Sequence, residues 1–326
     1  MYRPYPLQPH ARRVADLLQR RASPPCPRAA ISALLPSPTS TRVPKVLDAY
    51  TRLNLHSHPP NTPAVPGADI LGLKLRYREK GANRGGCPVV LIHGAGGSSL
   101  TWVGLLGLLG RTRRCLALDL PGHGQSTACD GGPAAVSIEA YRDVVLAFLE
   151  ALSLGPAILV GHSMGGAVVL EAALAAPERV AGLGLLATSA KLGVGPQIFH
   201  VLDTQFEAFP EMLGEMGFGP NTPRGRAVRL ARAGIGAPQA IVRADFEACS
   251  RFDARDRLAT IRQPTLVLLG EADRMVPPKH SRFLAERIAN AHLVALAETG
   301  HMVQVERPVE VANAIEALCA LVQSRP

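Results

Sequence analysis

No stretch of the 326 residues approaches the ~18 to 20 consecutive apolar positions that a membrane span requires, so the expectation is a soluble chain. No internal repeat or heptad series is present, which excludes solenoid and coiled-coil architectures. Cysteine is sparse: the six residues at 26, 87, 115, 129, 249 and 319 form no Cys-x-x-Cys pair and have no metal-like spacing with His. A disulfide-framed miniprotein is short and cysteine-dense, so reduced, mostly buried thiols in a reducing compartment are expected instead, with no metal site. Acidic residues are nearly missing from residues 1–66, where eight Arg and one Lys face two Asp. That segment carries +7 of the net +9 and leaves +2 for the other 260 residues. A groove that binds nucleic-acid phosphates should keep its charge within the folded part, so nucleic acid is not an expected partner.

Residues 1–66 also hold 13 of the 28 prolines. Such a segment reads as a largely extended or disordered extension, with one short basic amphipathic helix over Ala11 to Arg21. No apolar h-region follows the basic residues, which argues against secretion; the expected location is cytoplasmic, or organellar if the Arg-rich start is a transit peptide. The folded part is expected over 67–188 and 261–326. Leu73-Lys74-Leu75-Arg76-Tyr77-Arg78 alternates apolar and basic residues and predicts a half-exposed edge strand. Short apolar runs follow at Val89–Ile92, Cys115–Leu118, Ala157–Val160, Leu183–Leu186, Thr265–Leu269 and Leu293–Leu296. Strands buried on both faces have the appearance of the first five. Between them lie helical patterns: one opening at Ser137, one over Met164 to Ala175, one after Pro277-Pro278 and one from Pro308. This alternation predicts an α/β fold with a mostly parallel central sheet and helices on both faces. From 189 to 260 no strong strand-like run occurs, yet six of the eight Phe fall there. That interval reads as an inserted helical cap.

The chemistry gathers at three places. Gly161-His162-Ser163-Met164-Gly165 follows a buried strand and opens a helix, as a nucleophile elbow requires. A serine hydroxyl needs a base and an orienting acid to react at neutral pH. Asp273 lies just beyond the run ending at Leu269, and His301 follows the run ending at Leu296. Both therefore fall at the carboxyl ends of strands, the edge where open parallel sheets bind ligands. Glu271 competes with Asp273 as the acid, and Asp273 is preferred.

On these residues, together with His93-Gly94-Ala95-Gly96-Gly97 and Asp119-Leu120-Pro121-Gly122-His123-Gly124-Gln125-Ser126, the chain from about residue 69 onward resembles the α/β-hydrolase superfamily. The resemblance implies a nucleophile at Ser163, a general base at His301, an orienting acid at Asp273, and an oxyanion hole made of the backbone N–H groups of Ala95 and Met164. It gives His93, His123, His162 and Asp119 turn and packing roles. It implies no cofactor and a small-molecule substrate with a hydrophobic acyl part. Serine at the elbow argues against the haloalkane dehalogenase and epoxide hydrolase branches, which use aspartate there. The expected activity is hydrolysis of an ester, thioester or lactone. Carbon–carbon hydrolysis of a dienoate ring-cleavage product, a cofactor-free haloperoxidase, an acyltransferase and a non-catalytic ligand-binding protein are the alternatives.

Overall fold

The computed structural model describes residues 65–324 except Arg84 and Cys129. The helix expected over Ala11 to Arg21, the extension up to residue 64, Cys26 and Cys129 lie outside the described residues. Eight strands form one sheet: β1 (Gly67–Ile70), β2 (Leu73–Lys80), β3 (Val89–Ile92), β4 (Cys115–Leu118), β5 (Ala157–His162), β6 (Val180–Leu186), β7 (Thr265–Gly270) and β8 (Ala291–Leu296). Their order is β1-β2-β4-β3-β5-β6-β7-β8. From β4 to β8 every pairing is parallel, while β1 with β2 and β2 with β4 are antiparallel. β3 to β7 contain almost only buried positions because helices cover both faces.

Ten helices complete the fold: α1 (Val103–Leu109), α2 (Ile138–Ala151), α3 (Met164–Ala175), α4 (Pro196–Thr204), α5 (Phe209–Met216), α6 (Arg224–Gly234), α7 (Gln239–Arg251), α8 (Pro278–Arg287), α9 (Val303–Glu306) and α10 (Pro308–Gln323), counted among the described residues. α2 starts where its cap dictates: the Ser137 hydroxyl accepts the Ala140 N–H at 3.0 Å. Its buried stripe of Tyr141, Val144, Val145, Phe148 and Leu149 follows helical spacing. That stripe shares a core with Val90 and Ile92 of β3 and with Val168 of α3. Val89 and Leu91 point the opposite way by strand alternation and are buried too.

The segment between β6 and β7 carries α4 to α7 and no strand; its single β-bridge joins Lys191 to Asp253. The chain returns to the sheet beside a bidentate pair in which Arg257 meets the buried Glu171 of α3 at 2.5 and 2.9 Å. One expectation is corrected. β2 is an interior strand, and the edge belongs to β1. The two pair through the two-residue turn Leu71-Gly72, with φ of 51° and 78°. A primed turn of that kind matches strand twist and closes a hairpin. The alternation read for β2 is correct, since Leu75 and Tyr77 are buried, but alternation reports a half-covered face and not an edge.

Candidate active site

The parallel strands β3 to β8 deliver their carboxyl ends to one rim. The loops there hold Gly94 to Gly97 after β3, Asp119 to Ser126 after β4, Ser163 after β5, Asp273 after β7 and His301 after β8. Ser163 is one of the few non-glycine residues with positive φ, at φ 53° and ψ −118°. So sharp a strand-to-helix reversal leaves no room beside it: a Cβ on Gly161 would stand 2.1 Å from the Gly165 carbonyl oxygen, and one on Gly165 would stand 2.3 Å from that of Ile92. Glycine at both positions is a steric requirement, and the serine stores the strain.

His301 Nδ1 donates to Asp273 Oδ2 at 2.8 Å, with both side chains buried. The other oxygen, Oδ1, accepts the N–H groups of Met275 and Val276, each at 2.8 Å. The carboxylate is thus fixed from both sides, and it fixes the imidazole tautomer with Nε2 left as the acceptor. The competing acid Glu271 is exposed and pairs with Arg282 at 2.8 Å. Arg274 is exposed as well. The neighbour of the elbow serine, His162, lies against His301 with ring centroids 4.7 Å apart and donates Nε2–H to the His301 carbonyl at 3.0 Å. His162, the residue before Ser163, thus ties the elbow to the loop that carries His301.

The loop after β3 presses on the elbow, since a Cβ on Gly94 would come within 3.1 Å of the Ser163 Cβ. Among the described residues no acceptor takes the N–H of Ala95 or of Met164. The N–H of Gly96 is engaged: it donates to Asp245 Oδ2 at 2.7 Å. Asp245 belongs to α7 and is fully buried. It also accepts from His123 Nε2 at 2.8 Å and from the Tyr141 hydroxyl at 2.7 Å. This contact between the β6–β7 segment and the rim was missed in the sequence. Its signal was an acid on the buried stripe of a helix, beside Ile241, Val242, Ala248 and Cys249. Asp119 fixes its turn, accepting from the Ser99 N–H at 2.6 Å and the Gln125 N–H at 3.1 Å.

The buried histidines differ in charge. Burial, helped by repulsion from His123, pushes His93 down to about 3, and burial with His301 nearby holds His162 well below the usual imidazole range. Burial would lower His123 too, but the charge and hydrogen bond of Asp245 outweigh it and hold His123 above that range. Rings kept neutral in the fold cost stability in acid: below pH about 6.5 the unfolded chain binds protons that His93 and His162 refuse. The contribution of His123 has the opposite sign, being complete below about pH 6.5 and lost as pH rises through its raised value. Between pH 6.5 and pH 4 the His123 contribution is constant while the two neutral rings lose ground, so the melting temperature should fall across that window. A His93→Gln variant should show a shallower fall in the same titration, and an equal slope would remove the assignment.

Free thiols fit the sequence reading among the described residues: Cys115, Cys249 and Cys319 are buried and Cys87 is half-buried. Burial raises all three buried thiols, Cys319 to about 12, which keeps them unreactive. No group of metal-ligating side chains occurs among the described residues, and none of their helices is long and apolar enough to cross a membrane.

Known proteins resemble this chain. The chain is 35% identical over 270 residues to the dihydrolipoyllysine-residue acetyltransferase component of the acetoin cleaving system of Pseudomonas putida, covering 76% of this chain and 67% of that one. It is 28% identical to the 2-hydroxymuconate semialdehyde hydrolase of Pseudomonas sp. strain CF600, covering 79% of this chain and 94% of the relative. Among solved structures, a thermophilic esterase from Thermogutta terrifontis superimposes with a TM-score of 0.71 at 25% identity, covering 80% of this chain and 100% of the esterase. A family model described as alpha/beta hydrolase fold matches residues 88–308, which span the rim from its first loop to His301. With that match over two thirds of its length, the chain belongs to the α/β hydrolase fold family.

Proposed function

We propose that the protein is a serine hydrolase that cleaves an ester, thioester or lactone through an acyl-enzyme on Ser163. The observation that carries the reading is the Asp273–His301 hydrogen bond of 2.8 Å, set beside the strained elbow serine. In this mechanism His301 Nε2 takes the proton from the Ser163 hydroxyl as its oxygen attacks the acyl carbon. The carbonyl π electrons move onto the oxygen, which the N–H groups of Ala95 and Met164 receive. Collapse expels the leaving group, which collects the proton from His301. Water then repeats the cycle on the acyl-enzyme, giving its proton to His301, and Ser163 regains a proton as the acid departs. Asp273 stays ionised and steadies the imidazolium throughout.

The helical segment between β6 and β7 serves as the cap. Val242 packs on Gly96 and Ile241 on Gly122, and the Gly217 carbonyl accepts the Met302 N–H at 3.0 Å. Apolar side chains therefore border the rim, which favours a hydrophobic acyl part. Two further chemistries have a specific observation behind them. The match to the 2-hydroxymuconate semialdehyde hydrolase favours carbon–carbon hydrolysis, and the match to the acetyltransferase component favours transfer of the acyl group to an acceptor other than water.

A panel of p-nitrophenyl esters, acyl thioesters, lactones and dienoates tests the substrate class. Turnover of the first three groups with labelling of Ser163 by a fluorophosphonate supports the reading. Turnover of dienoates alone moves the assignment to carbon–carbon hydrolysis. Folded protein that neither turns over any member nor takes the label would leave a ligand-binding role.

A further inference from the structure

Asp245 has a place in this machinery that its position in a helix of the β6–β7 segment does not announce. The N–H of Ala95 belongs to the Gly94–Ala95 peptide, and the next peptide, Ala95–Gly96, carries the N–H of Gly96. In a trans peptide the C=O and N–H point in opposite directions, so fixing one aims the other. The Gly94 carbonyl is fixed: it accepts from His93 Nδ1 at 2.9 Å and from the Gly97 N–H at 3.0 Å. His93 is oriented in turn, because its Nε2 accepts the Leu120 N–H at 3.1 Å and its ring lies 4.7 Å from that of His123. The second peptide is fixed by Asp245 itself, through the 2.7 Å bond from the Gly96 N–H. The same carboxylate oxygen accepts His123 Nε2–H at 2.8 Å.

His123 Nδ1 faces the Pro121 carbonyl at 3.0 Å, so both ring nitrogens meet acceptors and both must donate. The result is a buried imidazolium–carboxylate pair, with a third donor from Tyr141 on the remaining oxygen. One side chain therefore reaches both peptides that flank Ala95: the second directly, the first by way of the His123 and His93 rings. The Gly96 carbonyl is also held by the cap, through the Gly236 N–H at 2.8 Å.

We propose that Asp245 is the positioning residue for the oxyanion hole, aiming the Ala95 N–H toward the carbonyl oxygen of the bound acyl group. It touches neither substrate nor Ser163 and acts through the loop. This inference rests on the serine-hydrolase reading above. Because the oxyanion forms only in the transition state, a misaimed donor lowers kcat and leaves KM nearly unchanged.

Asp245→Asn keeps the shape of the side chain but removes the charge that holds the His123 imidazolium, so the ring gives up a proton and the contact that ties it to the Gly96 peptide is broken or rearranged. On a short p-nitrophenyl ester, kcat should fall about 10- to 100-fold with KM within about threefold, since deleting a whole donor costs on the order of 10²–10³. The midpoint of the His123 imidazolium signal in an NMR pH titration should move down in the same variant. Glu316→Gln, which removes the ion pair between α10 and Arg113 near the amino end of β4, opposite the rim, provides a control for loss of a tertiary contact and should keep the wild-type kcat. If Asp245→Asn does not fold, His123→Gln carries the test, because it loosens the first peptide through His93, and a kcat fall of about tenfold is expected. A folded Asp245→Asn or His123→Gln with wild-type kcat, or with a loss no greater than its unfolded fraction, overturns the proposal. The underlying reading has its own readout: if the wild-type chain takes no fluorophosphonate at Ser163, the reading fails before Asp245 is tested.

Discussion

Ser163→Ala should lose about 10⁴- to 10⁶-fold in kcat on an activated ester while unfolding at nearly the wild-type temperature. The two halves of that expectation have separate causes. In the proposed mechanism the hydroxyl oxygen is the atom that forms the acyl bond, so what survives its removal is the contribution of the oxyanion donors and of binding. The fold does not notice, because the Ser163 side chain makes no capping bond to α3 and the backbone holds its place through the Ser163 N–H to the Leu186 carbonyl at 3.0 Å. Ser163→Gly sharpens the contrast. At φ 53° and ψ −118° a Cβ is strained, and glycine relieves roughly 1–3 kcal/mol of that strain, less its added chain entropy. The glycine variant should thus melt no lower than alanine and be as inactive. Steady-state kinetics beside calorimetry checks both, and an alanine variant with wild-type turnover ends the nucleophile assignment.

The positions of Ser163, Asp273 and His301 were readable because each follows a short apolar run; those before Ser163 and Asp273 are buried on both faces, as in a covered parallel sheet, and the one before His301 is the half-exposed edge strand β8. Their shared rim then follows from strand direction alone. Val89–Ile92 and Cys115–Leu118 were bounded to the residue because Pro88 and His93 stop the first and Arg114 and Asp119 the second. α1 escaped because Val103-Gly104-Leu105-Leu106-Gly107-Leu108-Leu109 has two glycines in seven residues. Its helicity comes from burying Leu105, Leu106 and Leu109, a tertiary gain that overrides propensity. β1 escaped because four residues with a partly exposed pattern look like a loop until the Leu71-Gly72 turn supplies a partner. Asp245 was the furthest from legibility. Its bond to Gly96 spans 149 positions, and no local pattern says which loop a helical carboxylate will meet. Motifs report what one strand end carries; the contacts that orient those motifs are written in distant segments.

Asp273→Asn should lower kcat by about 10⁴ while the fold stays intact, a larger effect than its distance from the acyl carbon suggests. Asparagine keeps one oxygen, and the N–H groups of Met275 and Val276, each at 2.8 Å, claim it. The amide nitrogen is then left facing His301 Nδ1, where the carboxylate oxygen stood at 2.8 Å. Two donors cannot share that contact, so Nδ1 becomes the acceptor and the ring proton moves to Nε2. In the proposed mechanism Nε2 is the atom that takes the serine proton, and once protonated it cannot. The missing negative charge also withdraws support from the imidazolium. Glu271→Gln separates this from a general loss of acid near the rim: Glu271 is exposed, paired only at the surface with Arg282, and its variant should stay within about twofold of wild type. The rate ratio of the two variants on one p-nitrophenyl ester, with ¹⁵N NMR of the His301 ring, reads the outcome. Comparable losses in both, or a wild-type tautomer in Asp273→Asn, would leave the orienting role without support.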